Sequence, residues 1–160
     1  MKSPKFLLLT IALALPLSAL AAESAKHEHD AATQVQLELN AGKKWSTDAP
    51  LRQAMTHIRK AVATALPAAH GGKLTPAQYD AFGNEVTAQI TYIVENCKLD
   101  PQADAQLHVV VGGIMSGIDV ASGKQHDQER ALGVVAIAQS LNSYGKYFDH
   151  ANWKSIKLPH

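Results

Sequence analysis

Two helical apolar stripes separated by a sharp break constrain this chain more than any other feature. Phe82, Val86, Ile90, Ile93 and Cys97 recur at the spacing of one face of an α-helix, and Leu107, Val111, Ile114, Met115 and Ile118 form a second broad apolar face beyond Asp100-Pro101. Asp100 is suited to the N-cap, because its carboxylate accepts from an orphan amide, and Pro101 to the first helical position, because it has no amide to lose. Two helices joined this abruptly must run antiparallel and bury their faces together. Cys97 and His108 flank the break and are both expected to point inward.

Two further helices complete the pattern. The first is expected from Asp48 to Leu66, with Leu51, Met55, Ile58 and Val62 at core spacing and Pro67 as its stop. Thr75-Pro76-Ala77-Gln78 is a capping box with proline at the first helical position and starts the second helix, which runs to about Lys98. The third is expected over 101–122, with Gly123 as its stop. The fourth starts near Gln125 to Asp127 and turns Ala131, Val134, Val135, Ala138, Leu141 and Phe148 inward. Gly112, Gly113 and Gly117 each cost about 1 kcal/mol against alanine within the third helix, so a neighbouring helix is expected to approach there. Four amphipathic helices with short connections predict an all-α, up-down-up-down four-helix bundle over residues 47–150. Val35, Leu37 and Leu39 alternate with polar residues, which suggests a short extended N-terminal arm, turned at Asn40-Ala41-Gly42-Lys43. Trp45 is expected to cover the end of the bundle, and Trp153, Ile156 and Leu158 in the C-terminal tail, 151–160, to fold back on it.

Residues 1–21 read as a secretory signal peptide: Lys2 and Lys5, an apolar run from Phe6 to Leu15, then small residues ending Ala19-Leu20-Ala21. The apolar run is too short for a membrane span, so no stable membrane insertion is expected after cleavage. Cleavage removes two of fifteen basic residues and none of fourteen acids, leaving thirteen against fourteen, a net charge of −1 with histidines neutral. That balance gives no electrostatic basis for binding nucleic acid. The expected location is the periplasm, with 22–46 a mobile tail followed by the arm.

A single cysteine in an exported chain closes no internal disulfide, so Cys97 is a buried thiol, a metal ligand, a reactive thiol or an intermolecular link. In an up-down-up-down bundle the start of helix one, the turn at Asp100 and the end of helix four share one end. Rise per residue places Met55, Cys97 and His108 within about 12 Å of that end. A thiolate, an imidazole and a thioether would make a soft site for copper, and less specifically for zinc. Asp104, four residues before His108, is the candidate to fix the imidazole tautomer, and Tyr144 or Tyr147 to close the fourth side. His27 and His29, beside Glu28 and Asp30, form a weaker candidate metal site in the tail.

The stretch Asn96-Cys97-Lys98-Leu99 through Asp104 to His108, with Gly42-Lys43-Lys44-Trp45 and Leu51-Arg52 upstream, resembles a group of exported proteobacterial four-helix-bundle proteins. The architecture is also similar to the periplasmic bundle cytochromes of the b and c-prime types. One cysteine excludes the usual covalent c-type haem motif. The b-type resemblance implies haem held by Met55 on helix one and by a histidine late in helix four, where His150 is the candidate. The leading expectation is a periplasmic metal-binding bundle whose single copper-type site serves delivery or electron transfer. The alternative is an envelope structural or interaction module with a buried structural cysteine, binding another envelope protein or a second copy of itself. A thiol nucleophile paired with a histidine is the one enzymatic arrangement available. No nucleophile elbow, phosphate loop or His-Glu-x-x-His motif supports catalysis.

Overall fold

The computed structural model describes residues 36–159. The expectations for residues 1–21 and for His27 and His29 fall outside them. The described residues form four helices: α1 (Ala49–His70), α2 (Pro76–Asn96), α3 (Pro101–Ala121) and α4 (Arg130–Tyr147). Each packs on the two that flank it, α1 against α4 included, in the up-down-up-down bundle that the sequence predicts. No strand occurs among the described residues.

Three helix starts follow from local chemistry. Asp48 Oδ1 accepts from Leu51 N at 2.9 Å, Thr75 and Gln78 exchange both bonds of the capping box, and Asp100 Oδ1 accepts from Gln102 N and Ala103 N. The fourth start differs. Glu129 makes no side-chain cap, and α4 begins later than expected, at Arg130, whose Nη1 donates to Asp80 Oδ1 at 2.9 Å and to the Pro76 carbonyl at 3.2 Å. Tertiary anchoring against the start of α2 replaces the missing cap.

Pro67 does not end α1, which continues for three residues to His70. The proline forfeits one bond, to the Ala63 carbonyl on an exposed part of the helix, while Leu66 and Ala69 on either side are buried. Gly71 N then donates to the Pro67 carbonyl and Lys73 N to the Ala68 carbonyl, which closes the end.

The face that α3 turns inward also differs from expectation. Ala103, Leu107, Val110, Ile114, Gly117 and Ala121 are buried, whereas Met115 is exposed and Val111 only half-buried. One residue is a rotation of about 100° on a helix, so a stripe centred on Leu107, Val110 and Ile114 carries His108 and Met115 round toward solvent. The reason lies in α4. A Cβ on Gly117 would stand 2.5 Å from Ile137 Cγ1 and 2.9 Å from the Gly133 carbonyl, and one on Gly133 would collide with Ala121 N and the Gly117 carbonyl. The two backbones touch, and that contact selects the face. A Cβ on Gly112 would meet no neighbour within 4 Å, so nothing in the bundle requires glycine there.

The segments outside the helices are docked on the bundle. Asn40 and Lys43 pair across a turn with positive φ at Ala41 and Gly42, and buried Trp45 pairs its backbone with the last residue of α4 and the extended residues beyond it, through Tyr147 O and Asp149 N. The Trp45 indole donates to the Glu38 carbonyl at 2.6 Å, and Glu38 N donates to Gln106 Oε1 at 2.7 Å. At the other end of the chain Ile156 is buried, and Trp153 and Leu158 pack against the core, as the sequence suggests. Asn142 holds this segment with both ends of its amide: Nδ2 donates to the Ile156 carbonyl at 2.9 Å and Oδ1 accepts from Ile156 N at 2.7 Å.

The glycines provide a two-signed test of this packing. Gly133→Ala is expected to destabilise the bundle by about 3 kcal/mol through overpacking, whereas Gly112→Ala should stabilise it by about 0.5–1 kcal/mol through helix propensity. Urea titrations of the two variants measure both.

Candidate functional site

The end of the bundle where α1 begins and α2 passes into α3 is organised by Asp48. Its Oδ1 caps α1 at Leu51 N and accepts the Cys97 thiol hydrogen at 3.5 Å, while Oδ2 accepts from Lys98 N at 2.6 Å. One carboxylate thus ties the start of α1 to the end of α2, fifty positions along the chain. Arg52, one turn into α1, donates through Nη1 to the Thr47 carbonyl at 2.5 Å and to Thr47 Oγ1 at 3.1 Å.

The titration of the pair follows from this geometry. Burial pushes the Cys97 thiol up, the Asp48 charge and hydrogen bond push it further, and the Asp104 charge adds to the shift, to about 12. Burial also pushes the Asp48 carboxyl up, but the amides of Lys98 and Leu51, the Cys97 thiol and the Arg52 charge outweigh it and hold the carboxyl below its usual 3.8. The proton therefore resides on sulfur and the charge on oxygen. At neutral pH Cys97 is a hydrogen-bond donor and not a thiolate nucleophile.

The structure disperses the expected donor set. Met55 is wholly buried in the core. Cys97 is half-buried and turned to Asp48. His108 does not point inward: its side chain is 75% exposed, with Nδ1 2.9 Å from the carbonyl and 3.4 Å from Oδ2 of Asp104. Asp104 does stand beside His108, but on the solvent side of α3. Among the described residues no group of three or more His, Cys, Asp and Glu side chains is placed to hold a metal ion. Met55 thus lies in the core, Cys97 against Asp48 and His108 on the solvent side of α3.

Tyr144 closes the fourth side from within the core, fully buried, and its hydroxyl is hydrogen-bonded to His150 Nδ1 at 3.0 Å. Burial raises the phenol well above its ordinary range; Arg52 opposes that shift, and Cys97, Asp48 and Asp149 reinforce it. Tyr147 is half-buried, with Lys146 Nζ 5.1 Å from its ring centroid. Tyr144 stacks on Phe148 at 5.2 Å and meets the edge of Trp153 at 4.8 Å; Trp153 in turn lies 4.9 Å from His150. The His150 ring is half-buried against Tyr144 and Trp153. The sequence places the start of the first helix at Asp48 but carries no signal for the second role of that residue, which exists only once α2 returns to the start of α1.

No family model matches the chain, and no curated protein or solved structure matches it. The all-α four-helix bundle is the class that the fold defines.

Alkylation of Cys97 at pH 8 is expected to run roughly 10²–10³-fold slower than that of a free cysteine, because so little thiolate is present. Asp48→Ala should speed it by removing the adjacent charge and should cost about 1–2 kcal/mol of stability through the lost cap. The depressed carboxyl adds an acid-sensitive component. The unfolded chain takes up the proton first, so the stability due to Asp48 is complete above about pH 5 and is lost as pH falls past 3.8 and through the lower folded value. Asp48→Asn should flatten that acid limb in pH-dependent denaturation curves.

Proposed function

We propose that this chain is an exported periplasmic scaffold, an interaction module of the cell envelope, in which Cys97 is a structural thiol. The observation that carries this reading is the engagement of the one cysteine as a hydrogen-bond donor to Asp48, in a junction that already uses the same carboxylate to cap α1 and to hold the turn into α3. A thiol so placed contributes to joining helices, and its protonated state at neutral pH does not suit nucleophilic attack. The signal-peptide pattern of residues 1–21 and the resemblance to exported proteobacterial bundles support a periplasmic location. A partner protein of the envelope, or a second copy of the chain, would be bound through the bundle's outer faces.

Metal analysis separates this reading from copper delivery or electron transfer. Protein purified without an affinity tag under reducing, copper-replete conditions is expected to carry no stoichiometric metal. Cys97→Ala should remain folded with a stability change within about 1 kcal/mol. One equivalent of copper in the wild type, lost in both Cys97→Ser and His108→Ala, would replace the scaffold with a metal carrier.

A further inference from the structure

The outer side of the α1/α2 pair carries an open groove of about 580 Å³. Its floor is apolar: Ala61 and Phe82 are buried, Ala65 and Leu74 half-buried, and Ala81 lies exposed at the edge. The depression exists because alanine side chains are single methyl groups, so the longer side chains beside them stand up as walls. Where the two helices run side by side, His57 Nδ1 stands 3.3 Å from Gln89 Oε1 and sets their register. One turn on from that contact α1 presents exposed Lys60 and α2, running the other way, presents exposed Glu85, about 4.5 Å and 6 Å along the respective axes. The two charges therefore border the groove at nearly the same height, positive on one wall and negative on the other.

Elsewhere on this surface opposite charges are paired: Arg130 with Asp80 at 2.9 Å and Lys124 with Asp119 at 2.7 Å. Lys60 and Glu85 are in no ion pair among the described residues. A groove with one wall of each sign is complementary to its own image. A two-fold axis parallel to the helices keeps every height unchanged and exchanges the walls, so that α1 of one copy covers α2 of the other and Lys60 of each meets Glu85 of its mate. The alanine floor lets the helices approach to about 8 Å, and the aliphatic stems of Lys60 and Glu85 from the second copy lie across it. A foreign helix would have to carry an acid and a base matched to both walls, whereas a second copy carries them already. The face is also large enough. Helices of 22 and 21 residues are about 30 Å long and two side by side are about 20 Å wide, which gives about 600 Å² on each copy, at the lower end of what specific complexes bury.

We infer that the α1/α2 face is the docking surface for a second copy of this chain, joined about a two-fold axis along the helices by reciprocal pairs of Lys60 with Glu85 over the alanine floor. This interface rests on the reading of the chain as an interaction module, and it names the partner and the surface of that module.

Sedimentation equilibrium of the full chain from micromolar to submillimolar concentration tests this, with circular dichroism to establish that each variant is folded. The wild type is expected to pass from monomer to dimer, and added salt to weaken the association. Lys60→Glu and Glu85→Lys each set like charges against one another at both contacts and should weaken self-association by about tenfold. An equimolar mixture of the two variants restores opposite charges at both contacts and should form a mixed dimer of near wild-type affinity, which no contact within a single chain can produce. Ala81→Trp, which fills the floor and leaves both charges in place, should also weaken the dimer. The inference is overturned by a chain that stays monomeric at submillimolar concentration, by a dimer that neither charge reversal weakens, by a mixture that associates no better than its components, or by a different protein bound on this face while the chain itself remains monomeric. Copper content is read on the same samples: a metal-free monomer overturns the interface and keeps the scaffold, whereas a copper-loaded dimer that responds to the charge reversals keeps the interface and replaces the scaffold.

Discussion

The backbone contact between α3 and α4 at Gly117 and Gly133 is the constraint on which the rest of the bundle depends. With no side chain between them the helices approach more closely than ridges of leucine allow, and each gains dispersion contacts along its length. That approach fixes the rotation of both helices. On α4 it turns Val134, Ile137, Leu141 and Tyr144 into the core; on α3 it turns Leu107, Val110 and Ile114 inward and leaves His108 and Met115 outside. The same rotation brings Gly145 beneath Trp153 and Asn142 beneath Ile156, so the docking of the chain's last residues is a consequence of how α4 sits on α3.

At the end where α1 begins, the architecture is polar rather than steric. A single carboxylate receives the cap amide of its own helix, the amide of Lys98 and the thiol of Cys97. The raised thiol and lowered carboxyl are two views of one proton placed on sulfur, with the negative charge spread over hydrogen bonds that water would otherwise supply. A lone cysteine in this setting joins elements together. The scaffold that we propose draws on this arrangement: the thiol donates to Asp48, and the histidine across the turn from it faces solvent.

Much of the fold is legible in the sequence because helix starts are local. Thr75 with Gln78, Asp100 with Pro101 and Asp48 with Leu51 are each complete within four residues, so no tertiary contact is needed to read them. The start of α4 is harder to place because its anchor, Arg130 on Asp80, reaches to another helix. Pro67 misleads for a related reason: the ring removes one hydrogen bond, but burial of Leu66 and Ala69 offsets that loss in a way the local rule does not include. The candidate ligands are less legible still. On α3 both Leu107 and His108 lie next to apolar residues at helical spacing, and periodicity does not choose between faces only about 100° apart.

The sequence by itself determines an all-α chain, four helices in antiparallel order, the caps that begin three of them, and an aliphatic core sufficient to hold them, because each of these depends on neighbours within a turn or on the period of apolar residues. Only the tertiary structure decides which side of α3 is buried, that Asp48 meets Cys97 and Lys98, and that Tyr144 meets His150. Those outcomes depend on how closely two helices can approach and on which distant residues are thereby brought within hydrogen-bonding range, and neither quantity is a property of any local stretch of chain.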